Sequence, residues 1–141
     1  MSDSPWPIAD SVTEPFWSAC RNGALLLQYC RRCDAWQFYP RAICVECMRS
    51  ELQWKRASGN GYIYSFTVVR RAVAPVFGER LPLIVVLVDL VEGPRMLSNL
   101  VESTPEDVQI GDAVQVAFTQ VDDGVVLPMF KPIGTSKSLA S

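Results

Sequence analysis

Cys30-Arg-Arg-Cys33 and, ten residues further on, Cys44-Val-Glu-Cys47 constrain this chain more than anything else in it. Two C-x2-C pairs at this separation present four thiolates to one tetrahedral metal, because each pair closes a tight knuckle and the insert folds back between them. The spacing predicts a zinc ribbon in which Cys30, Cys33, Cys44 and Cys47 hold one structural zinc per chain. A disulfide or unconnected buried thiols are the blander readings, and a rubredoxin-type iron site stays open on ligand count alone. With four protein sulfurs in place, no position is left for an activated water. The metal is expected to hold structure and do no chemistry.

The chain contains no histidine, which removes Ser-His, Cys-His and His-metal chemistry in one step. The fifth cysteine, Cys20, reads as a small buried hydrophobe, and no paired carboxylate arrangement suited to proton transfer stands out. A net charge of −2 and a pI near 5.1 argue against unspecific nucleic-acid binding, which needs a basic excess to neutralise phosphates. The charge is uneven: 11 of the 13 basic residues lie between Arg21 and Arg95, against six acids there. Such a positive middle suits either a phosphorylated small ligand or an ordinary solvated surface. No run approaches the roughly 18 consecutive apolar residues of a membrane span, and Met1–Asp10 lacks the pattern of a leader. A soluble, cytoplasmic protein with no membrane contact is expected.

Residues 1–23 read as an extended arm followed by a short helix. Thr13 can cap it, Pro15 sits in its first turn, and Asn22-Gly23 ends it. Residues 24–57 make the ribbon, with strands at Leu25–Tyr29 and Leu52–Lys55 and with Trp36, Phe38, Tyr39 and Pro40 as its bulky cover. Ser58-Gly59-Asn60-Gly61 reads as a Gly-rich turn at a domain junction. Residues 58–134 then show five strand signals. Tyr62–Val69 alternates, Leu81–Val91 is almost continuously apolar, Met96–Val101 returns, Val114–Phe118 alternates, and Val125–Phe130 follows the hairpin signal Asp123-Gly124. A capped helical turn is expected at Thr104-Pro105-Glu106-Asp107, between the third and fourth of these strands. That order is the order of an OB barrel, with an SH3-like barrel as the competitor. Residues 135–141 read as a flexible tail. The fold expected is mainly β: a short N-terminal helix, a four-cysteine zinc ribbon and a C-terminal five-stranded OB-fold barrel.

Helix, ribbon and barrel in this order resemble the DUF35 family of OB-fold proteins with a rubredoxin-like zinc ribbon. The resemblance covers Glu14 to Pro132. It is carried by Glu14-Pro15-Phe16-Trp17, by the two C-x2-C pairs with Phe38-Tyr39-Pro40-Arg41 between them, and by Gly59-Asn60-Gly61 with Tyr64-Ser65-Phe66-Thr67-Val68-Val69. Ile110-Gly111-Asp112 and Leu127-Pro128-Met129-Phe130 complete it. Two features depart from the pattern. Asp34 and Met48 follow the knuckles where such ribbons often carry Gly for a positive φ, and Arg70-Arg71 stands where other members carry histidine.

The resemblance implies an accessory subunit, itself without catalytic residues, of a thiolase-like enzyme: an acyltransferase or a lipid-transfer-like aldolase of steroid side-chain degradation. Such a subunit assists acyl-CoA binding or transfer and stabilises a hetero-oligomer. Residues expected to face acyl-CoA or the partner are Phe16, Trp17, Tyr62, Tyr64, Arg70, Arg71 and Arg80. The alternative is a nucleic-acid-binding zinc-ribbon/OB module, whose barrel aromatics would stack bases. Against the acidic pI, no nucleic acid is expected.

Overall fold

The computed structural model describes residues 10–70 and 83–133. Contacts divide the chain into two compact units. One runs to Ala57 and takes in Phe118–Leu127; the other comprises Ser58–Ala117 and resumes at Pro128.

The first unit opens with α1, Glu14–Arg21. Thr13 is at the N-cap, but its side chain makes no cap bond. It turns back on Asp10 instead. Asp10 Oδ1 accepts from the N–H groups of Val12 (3.0 Å) and Thr13 (2.9 Å), and Thr13 Oγ1 accepts from the Asp10 N–H at 3.0 Å. The bond from the Thr13 backbone, foremost among these, holds the Asp10 carboxyl below its usual range. The helix closes as its sequence suggests, with Gly23 at φ 79° and its N–H on the Cys20 carbonyl at 3.1 Å. Phe16, Ala19 and Cys20 form the buried face.

The ribbon is a three-stranded antiparallel sheet in the order β2-β1-β3, built from β1 (Leu26–Cys30), β2 (Ala35–Gln37) and β3 (Leu52–Arg56). Cys30 pairs with Ala35 on one side and Leu52 on the other, so the first knuckle is the turn of the β1–β2 hairpin. No strand lies between β2 and β3, and the second knuckle sits in that irregular stretch.

The remaining strands, β4 (Asn60–Val69), β5 (Leu83–Leu90), β6 (Arg95–Leu100), β7 (Ala113–Asp122) and β8 (Val125–Pro132), close into a barrel in the order β4-β5-β6-β8-β7. β4 pairs antiparallel with both β5 and β7, and β6 pairs parallel with β8 at Leu100↔Phe130. This Greek-key closure is the OB topology, which decides against the SH3-like alternative. β5 alternates strictly: Ile84, Val86, Val88 and Leu90 point inward, where Ile63, Met96, Leu100, Val114 and Phe130 join them in the buried core.

Two local expectations need correcting. Gly61 is not in a turn; it is a β4 residue paired with Leu90 on one side and Val114 on the other, at the point where the barrel closes. A Cβ there would lie 2.6 Å from the Asp89 carbonyl oxygen, so glycine is required by close approach rather than by turn geometry. The segment at Thr104–Asp107 is one hydrogen-bonded turn and no helix. Asp107 N–H reaches the Thr104 carbonyl at 3.0 Å and the Thr104 hydroxyl donates to Asp107 Oδ2 at 2.9 Å, and the chain from Val108 onward does not propagate the turn.

Candidate metal centre

Cys30 ends β1, Cys33 lies in the hairpin turn, and Cys44 and Cys47 bracket the second knuckle. Their sulfurs all lie within 4.8 Å of one another. Cys30 Sγ is 3.7 Å from Cys47 Sγ, and Cys44 Sγ is 3.9 Å from Cys33 Sγ. A zinc–sulfur bond of about 2.3 Å places tetrahedral sulfurs about 3.8 Å apart, so the cluster has the size of a ZnS4 site and is far too wide for disulfides. All four cysteines are free. The donor set is closed and purely sulfur, as a structural site requires.

Each knuckle takes the left-handed turn its geometry demands without a glycine. Asp34 has φ 52° and Met48 φ 65°. Asp34 is also tied down, since the Tyr29 hydroxyl donates to its Oδ1 and is held above its usual pKa by that bond. Met48 has only its backbone: its N–H reaches the Cys44 carbonyl at 2.9 Å. At the second knuckle, the Glu46 N–H points at Cys44 Sγ (3.3 Å). Backbone donors, that of Cys47 first and Glu46 after it, lower the Cys44 thiol to about 7. Burial, with the neighbouring thiols, pushes Cys33 up to about 12. A metal entering this cluster must therefore displace protons. Arg31, Arg32 and Arg41 are exposed, the first two lining an open depression of about 580 Å3 with Glu51, Leu52 and Gln53. Cys20 is buried apart from the cluster, and burial raises its thiol to about 12, which keeps it unreactive.

The residues expected to face a partner or ligand are not one constellation. Phe16 is 0% exposed, its ring 4.8 Å from Trp17 and 5.6 Å from Phe38. It is core, and the expectation that it faces a partner is corrected. It fills the side of the helix that a ribbon with little apolar material of its own most needs. Trp17 is half-buried, and its Nε1 is enclosed with no hydrogen-bond partner among the described residues. Tyr62 and Tyr64 project outward, 54% and 50% exposed, and Tyr64 is the extra residue of a β-bulge between Ile63 and Ser65 in β4. Arg70 is exposed just beyond β4, whereas Arg71 and Arg80 lie outside the described residues.

Sequence reasoning passed over two sets of residues. On the barrel, Arg95 stacks its guanidinium 3.6 Å above the Tyr64 ring while its Nε donates to Asp89 at 2.6 Å, with exposed Leu97 beside it on β6. In the ribbon, Gln28 and Gln37 are buried polar residues facing each other across β1 and β2. The signal for Gln28 is its parity: it lies two residues before Cys30 on the strand and so shares its face.

A closed four-thiolate ribbon followed by an OB barrel defines a zinc-ribbon/OB-fold protein. Residues 17–53 match the model of the ChsH2 rubredoxin-like zinc ribbon domain and residues 54–119 that of the ChsH2 C-terminal OB-fold domain. A DUF35 domain-containing scaffold protein of Methanocaldococcus jannaschii is 37% identical over 74% of this chain and 78% of its own length. The chain belongs to the DUF35 family, and its cluster is the site of one structural zinc. A probable enoyl-CoA hydratase alpha subunit of Thermomonospora curvata is 32% identical over 83% of the chain, which spans only 36% of that protein. Among solved structures, a chain of the Ltp2-ChsH2(DUF35) aldolase superposes with a TM-score of 0.81 at 29% identity, covering 90% of this chain and 98% of the other.

Proposed function

We propose that this chain is an accessory subunit of a hetero-oligomeric enzyme, without turnover of its own, that joins a thiolase-like or lipid-transfer-like partner and assists its handling of an acyl-CoA. The observation that carries the reading is the similarity to a chain of the Ltp2-ChsH2(DUF35) aldolase, which takes in 90% of this chain and 98% of that one and so includes ribbon and barrel together. The scaffold-protein relatives of the same length class support it. So does the chemistry: the metal site offers no open position, and the chain has no histidine. Trp17, Tyr62, Tyr64 and Arg70, with Arg71 and Arg80, are the residues proposed to meet the partner or the CoA. The cytoplasm is the proposed compartment; no helix among the described residues is long and apolar enough to cross a membrane.

Co-expression with the thiolase-like or lipid-transfer-like enzyme encoded nearest to it tests this. A stable complex whose partner loses solubility or activity without this chain is the expected result. A chain that stays alone in the presence of that enzyme, or that converts an acyl-CoA unaided, would overturn the proposal.

A further inference from the structure

The two knuckles are held in different ways. Cys30 and Cys33 are fixed by the β1–β2 ladder, but the segment from Arg41 to Val45 that delivers Cys44 belongs to no strand. Its backbone groups are taken up by two buried side chains. Gln28 Nε2 donates to the Arg41 carbonyl at 2.7 Å and Gln28 Oε1 accepts the Arg41 N–H at 2.8 Å, so one amide pairs with Arg41 as a neighbouring strand would. Gln37 Nε2 donates to Gln28 Oε1 at 2.8 Å and to the Ile43 carbonyl at 3.2 Å, while Gln37 Oε1 accepts the Val45 N–H at 3.1 Å. The orientations are mutually consistent: flipping either amide would set a donor against a backbone N–H. Gln28 and Gln37 are only 5% and 8% exposed.

We propose that Gln28 and Gln37 are positioning residues of the zinc site, a pair of amides that stands in for a missing strand and fixes the Arg41–Val45 segment so that Cys44 is delivered to the metal. Neither touches the metal. They act through the backbone on both sides of Cys44, and losing either leaves part-buried backbone groups of that segment without their protein partner. Because Gln37 Nε2 and the Arg41 N–H share Gln28 Oε1, the two amides work as one unit.

The test uses the zinc-loaded full chain and a chromogenic chelator. Gln37→Met keeps the side-chain volume and removes every bond. It should weaken zinc retention by about tenfold to a hundredfold, the usual range for lost partners behind metal ligands. The double variant with Gln28→Met also frees Arg41 and should weaken retention further, by less than the sum of the two single changes because the Gln28–Gln37 bond is lost in either. A thiol-alkylation time course followed by mass spectrometry, read against the wild-type chain losing zinc to the same chelator, gives a readout that a general loosening of the ribbon would not produce: Cys44 and Cys47 should gain in rate over that reference more than Cys30 and Cys33 do. Gln53→Met, on an exposed β3 position, is the control. Should Gln37→Met fail to fold, Gln28→Met removes the two bonds to Arg41 while Gln37 keeps those to Ile43 and Val45, and it should show the same pattern of alkylation in milder form. Unchanged zinc retention, or an equal gain in rate at all four cysteines, would overturn the proposal.

Discussion

The ribbon and the barrel solve the problem of making a stable core from opposite ends. The barrel closes five strands on an interior of Ile63, Ile84, Val86, Val88, Leu90, Met96 and Phe130, nearly all aliphatic and supplied by alternation along each strand. The ribbon's interior mixes Leu25 and Leu27 with two cysteine ligands and two glutamines. Its three short strands cannot bury enough apolar surface to offset chain entropy, so order comes from the metal, from buried amides and from the aromatic side of α1. One region is held by something diffuse and redundant, the other by a few specific bonds. A single change should therefore disable the ribbon more easily than the barrel.

The largest expected effect exploits that difference directly. Removing zinc deletes a term of roughly 10 to 16 kcal/mol in small metal-folded peptides, and Cys33→Ser, with one thiolate fewer, weakens the same term. Proteolysis and amide exchange should then find the segment between β1 and β3 open while β5 and β6 stay protected. Metal analysis should fall from one zinc per chain towards none. If barrel and ribbon instead lose protection together, the two are energetically one body and the contrast drawn here is wrong.

The barrel has one point where redundancy does not help. At Gly61→Ala the new methyl would meet Asp89 O and Val88 Cγ1, each at 2.6 Å, and the first is backbone that cannot rotate away. Overpacking of this kind costs roughly 1 to 3 kcal/mol. Urea unfolding followed through barrel amides should shift by that amount, with zinc content unchanged. A neutral outcome would mean β4 can move outward at the closure.

Much of this division was legible in the residues, and what was not has physical causes. Cysteine spacing reports the metal because ligand geometry admits few alternatives, and the alternation of Leu83–Leu90 reports a strand with one buried face because the pleat has a period of two. Gly59-Asn60-Gly61 misled because a glycine required by close backbone approach looks, in one dimension, like a glycine required by a turn. Thr104–Asp107 misled because a capping sequence starts a helix only when an apolar face follows to be buried, and here Val108 is buried but Gln109 and Ile110 are exposed. Phe16 and Trp17 are adjacent on a short helix, and sequence cannot say which one turns inward.

Trp17, rather than Phe16, carries what remains of the interface expectation. Its half-buried ring sits edge-on to Phe16 at 87°, so truncation removes exposed area without opening the middle of the core. Trp17→Ala should weaken assembly with the partner by roughly 2 kcal/mol, about thirtyfold in affinity, and leave the zinc in place. Titration calorimetry alongside metal analysis measures both. Unfolding of the isolated subunit would return Trp17 to the core and leave only the interface assignment without support.

The smallest effect sharpens the comparison within the ribbon itself. Both knuckles place a non-glycine residue at positive φ, at 52° for Asp34 and 65° for Met48. An ordinary L-residue loses roughly 1 to 2 kcal/mol in that conformation, and a glycine substitution recovers this less the roughly 0.5 to 1 kcal/mol of extra backbone entropy that glycine loses on folding. Met48 is 66% exposed, so Met48→Gly forfeits no packing, and its N–H bond to Cys44 survives the change. A gain of about 0.5 kcal/mol in the thermal stability of the ribbon is expected. Asp34→Gly should give none: aspartate tolerates the conformation at little cost, and its carboxylate is the acceptor for the Tyr29 hydroxyl. Denaturation of the two zinc-loaded variants side by side decides it. An equal gain at both positions would mean that the Tyr29–Asp34 bond does nothing for the first knuckle and that the two turns are held alike.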